Sequence, residues 1–199
     1  MNKASMLKSV ADTGYNVGFG AKKHFATFDI VQKAPGWVAF ISLAIGVYAL
    51  VWDPLSSKFI GASVVVLGIA GLYVNLYDPE KRSYEESGVK LTQLYIRLRD
   101  LYRDIQSTPA DTDLSPHQAV LKAIENEYYS SSISKQILFS DWYAHYKFFW
   151  QHQIDWVNEQ KNFTLLRDKL PLSFMCVAVV LLTSIAVTVI KYRSELLGL

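Results

Sequence analysis

The chain has 199 residues, 51% of them hydrophobic, and its 20 lysines and arginines nearly balance 18 aspartates and glutamates. That length holds one domain, or a small domain with spanning helices, and excludes two large soluble domains. A net charge of +2 gives no whole-chain reason to expect nucleic acid, and the single cysteine, Cys176, excludes an intrachain disulfide framework and is read as a small packed residue of an apolar run.

Residues 1–35 form an N-terminal segment. MNKASMLKSVADTGYNVGFG lacks the continuous apolar stretch and small-residue cleavage site of a signal peptide, so the first apolar run is expected to act as its own insertion signal. Gly14 to Gly20, GYNVGFG, matches neither a dinucleotide loop nor a Walker loop and is read as a flexible joint. Residues 36–77 read as a transmembrane hairpin. Gly36 to Trp52 and Phe59 to Tyr77 carry no charge and are about 17 and about 19 residues long, close to the ~20 that cross a hydrocarbon core. DPLSSK joins them tightly, while Trp37, Trp52, Tyr73 and Tyr77 mark the ends as interfacial aromatics do. Gly61, Gly68 and Asn75 recur every seven residues, and Ala39, Ser42, Gly46 and Ala49 form a comparable small-residue stripe. The two stripes are expected to meet in the hairpin. Asn75 lines water, bonds another subunit or sits among headgroups; all three remain open.

Residues 78–170 read as a cytoplasmic helical region with heptad-like seams. After Asp78-Pro79, the positions Tyr84, Leu91, Leu94, Tyr95, Leu98, Leu101, Tyr102 and Ile105 make an apolar stripe that needs a helical partner, and Glu86 and Lys90 make an i,i+4 pair. A turn-rich linker, Ser107 to Pro116, precedes a short helix expected to turn Val120, Ala123, Ile124 and Tyr128 inward. Ser134 to Lys169 contains no Gly or Pro and reads as one long helix whose seam includes Trp142, His145, Phe149, His152, Trp156 and Glu159. That seam is expected to be the partner of the Leu91 to Ile105 stripe, in the same chain or a neighbour. His145, His152 and Glu159 are too far apart along a helix for one metal site. They are read as polar register positions or exposed groups, with a ring of histidines across an oligomer axis as the alternative. Residues 171–190 form a third apolar span entered at Pro171 and bordered by Arg167, Lys169, Lys191 and Arg193; Thr183, Ser184 and Thr188 in it can bond back to their own helix. Residues 191–199 are a short tail.

The fold class is therefore an all-α integral membrane protein: an N-terminal transmembrane hairpin, a helical bundle and a C-terminal transmembrane helix. Lys22, Lys23, Lys33, Lys81, Arg82 and Lys90 flank the hairpin on one side, which places the N-terminus and the central region in the cytoplasm. No HExxH, CxxC or GxSxG occurs, so neither an enzyme nor a cofactor or metal site is expected. The lipid bilayer is one expected partner and further copies of the chain another, with no direct nucleic-acid binding.

A basic pre-membrane helix (AKKHFATFDIVQKA), the tight hairpin and the YEESG-x-KLTQLYIRLRDLYRDI helix together resemble the SLATT family, two-transmembrane effectors associated with SMODS and SLOG proteins in bacterial conflict systems. The likeness spans roughly Gly20 to Ile105. It implies an inner-membrane effector that oligomerises and permeabilises the membrane, with a possible partner protein from the same defence operon. The alternative is a non-conducting anchor or scaffold for a nucleotide-signalling or nucleic-acid-synthesising partner. Gly61, Gly68, Asn75, Ser42 and Gly46 are then candidates for membrane packing or a pore. Leu91, Leu94, Tyr95, Leu98, Leu101, Tyr102, Trp142, Phe149 and Trp156 are candidates for packing or assembly of the helical region.

Overall fold

The computed structural model describes the backbone of residues 2–197 and the side chains of residues 2–190; Lys191, Arg193 and the rest of the tail's side chains lie outside that set. Among the described residues every regular element is helical. Three helical stretches are long and apolar enough to cross a membrane: one near the N-terminus, a second following it, and one near the C-terminus. The chain divides into two compact units, Met1–Lys161 and Asn162–Leu199.

The first unit is built on α1 (Lys3–Ala49), 47 residues without interruption and therefore about 70 Å long. Asn2 caps it by accepting a hydrogen bond from the Ser5 amide at 2.8 Å. Pro35 lies inside the helix, where its missing N–H leaves the Val31 carbonyl without its usual donor. The expected joint at Gly14 to Gly20 is helix too. A Cβ at Gly14 would lie 2.2 Å from the Trp156 ring, and one at Gly18 would lie 2.7 Å from Tyr95, so these glycines serve close approach instead of flexibility.

A 3-10 turn at Asp53–Ser56 leads to α2 (Lys58–Asn75), capped by Ser57; a second 3-10 turn at Asp78–Glu80 then feeds α3 (Lys81–Ser107). α1 runs antiparallel to α2 and α3 over their combined length. At one end Lys3 Nζ donates to the carbonyls of Gln106 (2.8 Å) and Thr108 (2.6 Å), tying down the end of α3. At the other, α1 and α2 pack along half-buried Val38, Ser42, Ile45 and Ala49 against Ile60, Val64, Gly71 and Val74. The hairpin of residues 36–77 is thus the outer half of a longer antiparallel pair.

That outer half does not pack as the small-residue spacing suggests. Ser42 and Ala49 face α2, but Ala39, Gly46, Gly61, Gly68 and Asn75 are exposed, and a Cβ at Gly46, Gly61 or Gly68 would meet nothing within 4 Å. Branched side chains at Val38, Ile45, Ile60 and Val64 fill the interhelical seam, which leaves the glycine face outside it.

In the inner half the α3 stripe is buried throughout: Tyr84, Leu91, Leu94, Tyr95, Leu98, Leu101, Tyr102 and Ile105. Its main partner is α1, with Val10, Gly14, Val17, Ala21, His24 and Val31 buried at alternating steps of three, four and seven. Small residues on α1 receive large ones from α3, and the reverse holds at Gly88, where a Cβ would sit 3.0 Å from the Phe25 ring.

α4 (Ser115–Ser131) follows, started by Asp113, whose carboxylate accepts from the Ser115 amide and hydroxyl. Leu121 and Ile124 point inward and Tyr128 is half-buried, whereas Val120 and Ala123 face out. In this orientation Glu127 accepts from Arg97 of α3 at 2.8 Å and faces Lys90 at 3.7 Å. Lys90 therefore pairs with α4, while Glu86 pairs with Arg82 at 2.9 Å.

The single long helix expected from Ser134 is broken. Ser130, Ser131 and Ser132 donate their hydroxyls to carbonyls of Glu127 and Tyr128 and end α4, an extended segment follows, and α5 (Ser140–Gln151) and α6 (Asp155–Lys161) are separate. The break at His152 to Ile154 frees the Gln153 carbonyl, which accepts from the Tyr95 hydroxyl at 2.9 Å. It also turns Trp156 back onto Gly14, which a straight helix could not do while burying Phe148 beside Tyr15 and Phe19.

The second unit contains a π-turn at Leu165–Lys169, held by Asp168 accepting from the Thr164 amide at 2.9 Å, and α7 (Leu172–Leu197), which begins just after Pro171. Thr183, Ser184 and Thr188 donate to carbonyls three or four residues back. Cys176 is exposed on this helix and not packed, because nothing in its own unit covers it.

Candidate functional site at the membrane junction

Where the packed inner half of the first unit gives way to the apolar outer half, a compact junction ties together α1, α2, α3 and the extended segment before α5. Its core is Val31, Val74, Tyr77, Tyr84 and Ile137, with Phe28, Ile30, Ala34 and Ile133 packed around it. Three tyrosines, one on α2, one in the turn after it and one on α3, hold the extended backbone. Tyr84 donates to the Lys135 carbonyl at 2.8 Å, Tyr77 to the Gln136 carbonyl at 3.5 Å, and Tyr73 accepts from the Leu138 amide at 3.4 Å. From the other side, Thr27 donates to Gln136 Oε1 at 2.6 Å and the Gln136 amide donates back to the Ile133 carbonyl at 2.7 Å.

His24 completes the clamp. Its Nε2 accepts from the Ile133 amide at 2.9 Å, so Nδ1 carries the proton and donates to the Gly20 carbonyl at 2.7 Å. Burial pushes the pKa of His24 down, with the Lys23 charge adding to the effect and the Gly20 bond opposing it. Burial, then Lys22 and Arg99, push His152 down to about 4. The folded unit therefore binds fewer protons than the unfolded chain between about pH 4 and the ordinary histidine value, and its stability falls as pH drops through that window. Thermal unfolding of purified protein should show a lower midpoint at pH 5 than at pH 7.5. His24→Ala, which strands the Ile133 amide, should cost about 1–3 kcal/mol at pH 7.5 and flatten that dependence.

Beside the clamp, Asp29 accepts from Lys33 at 2.8 Å and from Lys147 of α5, and these contacts hold its carboxyl below the usual range despite burial. The Lys147 ammonium lies 4.6 Å from the centre of the Tyr143 ring. Phe139, at the start of α5, adopts φ 67° and is more than half exposed beside Trp142, so a strained backbone position presents an aromatic ring at the level of Tyr73.

The structure gathers the named helical-region residues on one core and leaves the named span residues outside any. Leu91, Leu94, Tyr95, Leu98, Leu101 and Tyr102 are buried on α3, Phe149 and Trp156 join them, and Trp142 is half-buried. Gly46, Gly61, Gly68 and Asn75 are exposed, and Ser42 is half-buried in the hairpin seam. His145 and His152 do not approach each other as a ligand set: the His145 ring stacks edge-on against Phe19 at 4.9 Å, and His152 lies against Tyr95 at 4.8 Å. Glu159 accepts from the Tyr102 hydroxyl at 2.9 Å. Sequence reasoning missed His24, Thr27, Gln136 and Asp29; the one available signal was His24 and Thr27 falling on the same face of α1 as Val17 and Val31.

The model of the family SMODS and SLOG-associating 2TM effector domain 6 matches residues 1–178, taking in the whole first unit and the beginning of α7. Curated proteins gave no match, and neither did solved structures.

Proposed function

Because the chain belongs to the SMODS and SLOG-associating two-transmembrane effectors, it is a membrane effector of a conflict system, and we propose that several copies assemble through their spans to permeabilise the bacterial inner membrane. The observation that carries this is the glycine face. Within the first unit Gly46, Gly61 and Gly68 open onto nothing, on helices whose branched side chains already fill the seam between them. Small residues let helix backbones of neighbouring copies approach closely in lipid, where packing and not hydrophobicity drives association. The bundle, with the N-terminus and central region, lies in the cytoplasm and feeds any rearrangement into the spans through the unbroken α1 and through the turn that joins α2 to α3. Chemistry at a bound cofactor plays no part, and the chain is not an enzyme.

Induced expression with the cognate trigger should depolarise the inner membrane, read with a potential-sensitive dye. Gly61→Leu combined with Gly68→Leu should abolish the depolarisation while changing bundle stability by no more than about 0.5 kcal/mol, as exposed sites do. Unchanged potential with confirmed expression and triggering would contradict permeabilisation.

A scaffold role is favoured by a different surface. Val89 and Ile96 stand exposed on the outer face of α3, outside the apolar spans, among Arg82, Glu86 and Lys90. In that case a partner from the same operon is recruited to the membrane with no ion leak.

A further inference from the structure

At the junction, two apolar grooves flank Trp37, and both open at Lys33. One, of about 390 Å³, runs along Gly36 and Phe40. The other, of about 340 Å³, runs between α1, α2 and α5 along Val38, Ile41 and Leu67, with Tyr143 and Asp29 at its polar end. The indole of Trp37 divides them and meets the Phe40 ring edge-on at 6.2 Å. Both grooves continue directly into the exposed apolar surface of the first span, so in a bilayer their outer walls are lipid.

The charge at their shared mouth is unbalanced. Among the described residues Asp29 is the one carboxylate lining the grooves, and it pairs with both Lys33 and Lys147, leaving one net positive charge. Lys147 is largely buried against Asp29 and Tyr143, whereas Lys33 keeps 60% of its side chain exposed and can turn an ammonium hydrogen to a further anion. Two open apolar grooves meeting at one spare cation match a molecule with two hydrocarbon chains joined at one phosphate.

We propose that this site holds one anionic glycerophospholipid, with its phosphate at Lys33 and its two acyl chains on either side of Trp37. Continuity with the lipid-facing span supplies the occupant, and the net charge selects an acidic headgroup over a zwitterionic one. Trp37 separates the chains and fixes the height of the first unit relative to the headgroups.

The test is native mass spectrometry of the full chain released from detergent, with phosphatidylglycerol, phosphatidylcholine or single-chain lysophosphatidylglycerol added at equal concentration. One phosphatidylglycerol should stay bound, and phosphatidylcholine should be retained roughly fivefold less, the scale of one partly exposed ion pair. Lys33→Gln should remove that preference without shifting the unfolding midpoint, while Lys58→Gln at the far end of the hairpin should not. Trp37→Ala should bring two-chain and single-chain lipid to equal retention. Equal retention of phosphatidylglycerol and phosphatidylcholine, an unaltered preference in Lys33→Gln, or displacement of the lipid by millimolar inorganic phosphate would each overturn the proposal. Lipid retention does not require permeabilisation, so a failed depolarisation experiment and a failed lipid experiment are distinguishable.

Discussion

Gly18→Leu should weaken the inner bundle without unfolding it, while leaving the apolar hairpin helical. A Cβ at this position falls 2.7 Å from the Tyr95 ring and 2.9 Å from the Phe148 ring, before the rest of a leucine is placed. Replacing a mid-helix glycine recovers up to ~1 kcal/mol of helix propensity. Overpacking against two rings that are themselves buried costs more, at the top of the usual 1–3 kcal/mol range or beyond it, so the net loss is expected to be about 2–3 kcal/mol. Gly14→Leu should behave in the same way, because the Trp156 ring fills the space its side chain would need. Hydrogen exchange on protein in detergent reads this directly: protection should fall across α3, α5 and α6 and stay unchanged in the outer half of α1 and in α2. Gly61→Leu is the contrasting substitution, since nothing lies within 4 Å of its Cβ position. If Gly18→Leu left protection unchanged, the close approach of α1 to α3 would be wrong.

Leu98→Asp should have the largest effect of any single change in the bundle. Leu98 is fully buried on α3, between Leu94, Tyr95 and Leu101 on its own helix and the face of α1. The change forfeits the ~2 kcal/mol or more that burial of a leucine contributes and places a carboxylate in a fully buried position, for a total of about 4 kcal/mol or more. Leu98→Ala separates the two contributions: it should cost about 2–5 kcal/mol and leave a folded, weakened bundle. Calorimetry or denaturant unfolding in detergent would show Leu98→Asp without a cooperative transition and Leu98→Ala with one at a lower midpoint.

What the sequence made legible followed side-chain size and charge. The α3 stripe was readable because Leu and Tyr alternate there with Arg, Lys and Asp, and the spans because long uncharged runs have few other readings in a chain this short. The matching face of α1 was hidden. Val10, Gly14, Val17, Ala21 and His24 keep a heptad order, but small and polar residues carry it, and glycines in GYNVGFG look like a joint until their neighbours are known. The segment after Ser131 was misread for the opposite reason. Freedom from Gly and Pro permits a helix but does not require one, and three serines bonding back to the α4 carbonyls were enough to stop it. The junction clamp was out of reach because its acceptors are backbone carbonyls of an extended segment, which leave no mark in the residue types. The hairpin seam shifted by one residue on α1, from Ala39 and Gly46 to Val38 and Ile45, since in lipid both small and branched faces are possible contact surfaces.

Coupling of the bundle to the membrane depends above all on α1 remaining one rod through Pro35. Spin labels at Asn16 and Val47, both exposed, in a Cys176→Ser background and reconstituted in lipid nanodiscs, measure this by pulsed dipolar spectroscopy. An unbroken helix places them about 46 Å apart at ~1.5 Å per residue, in one narrow distribution. A broad distribution, or one centred below about 35 Å, would mean that the chain breaks or bends sharply between bundle and span, and the rod that joins them would not exist.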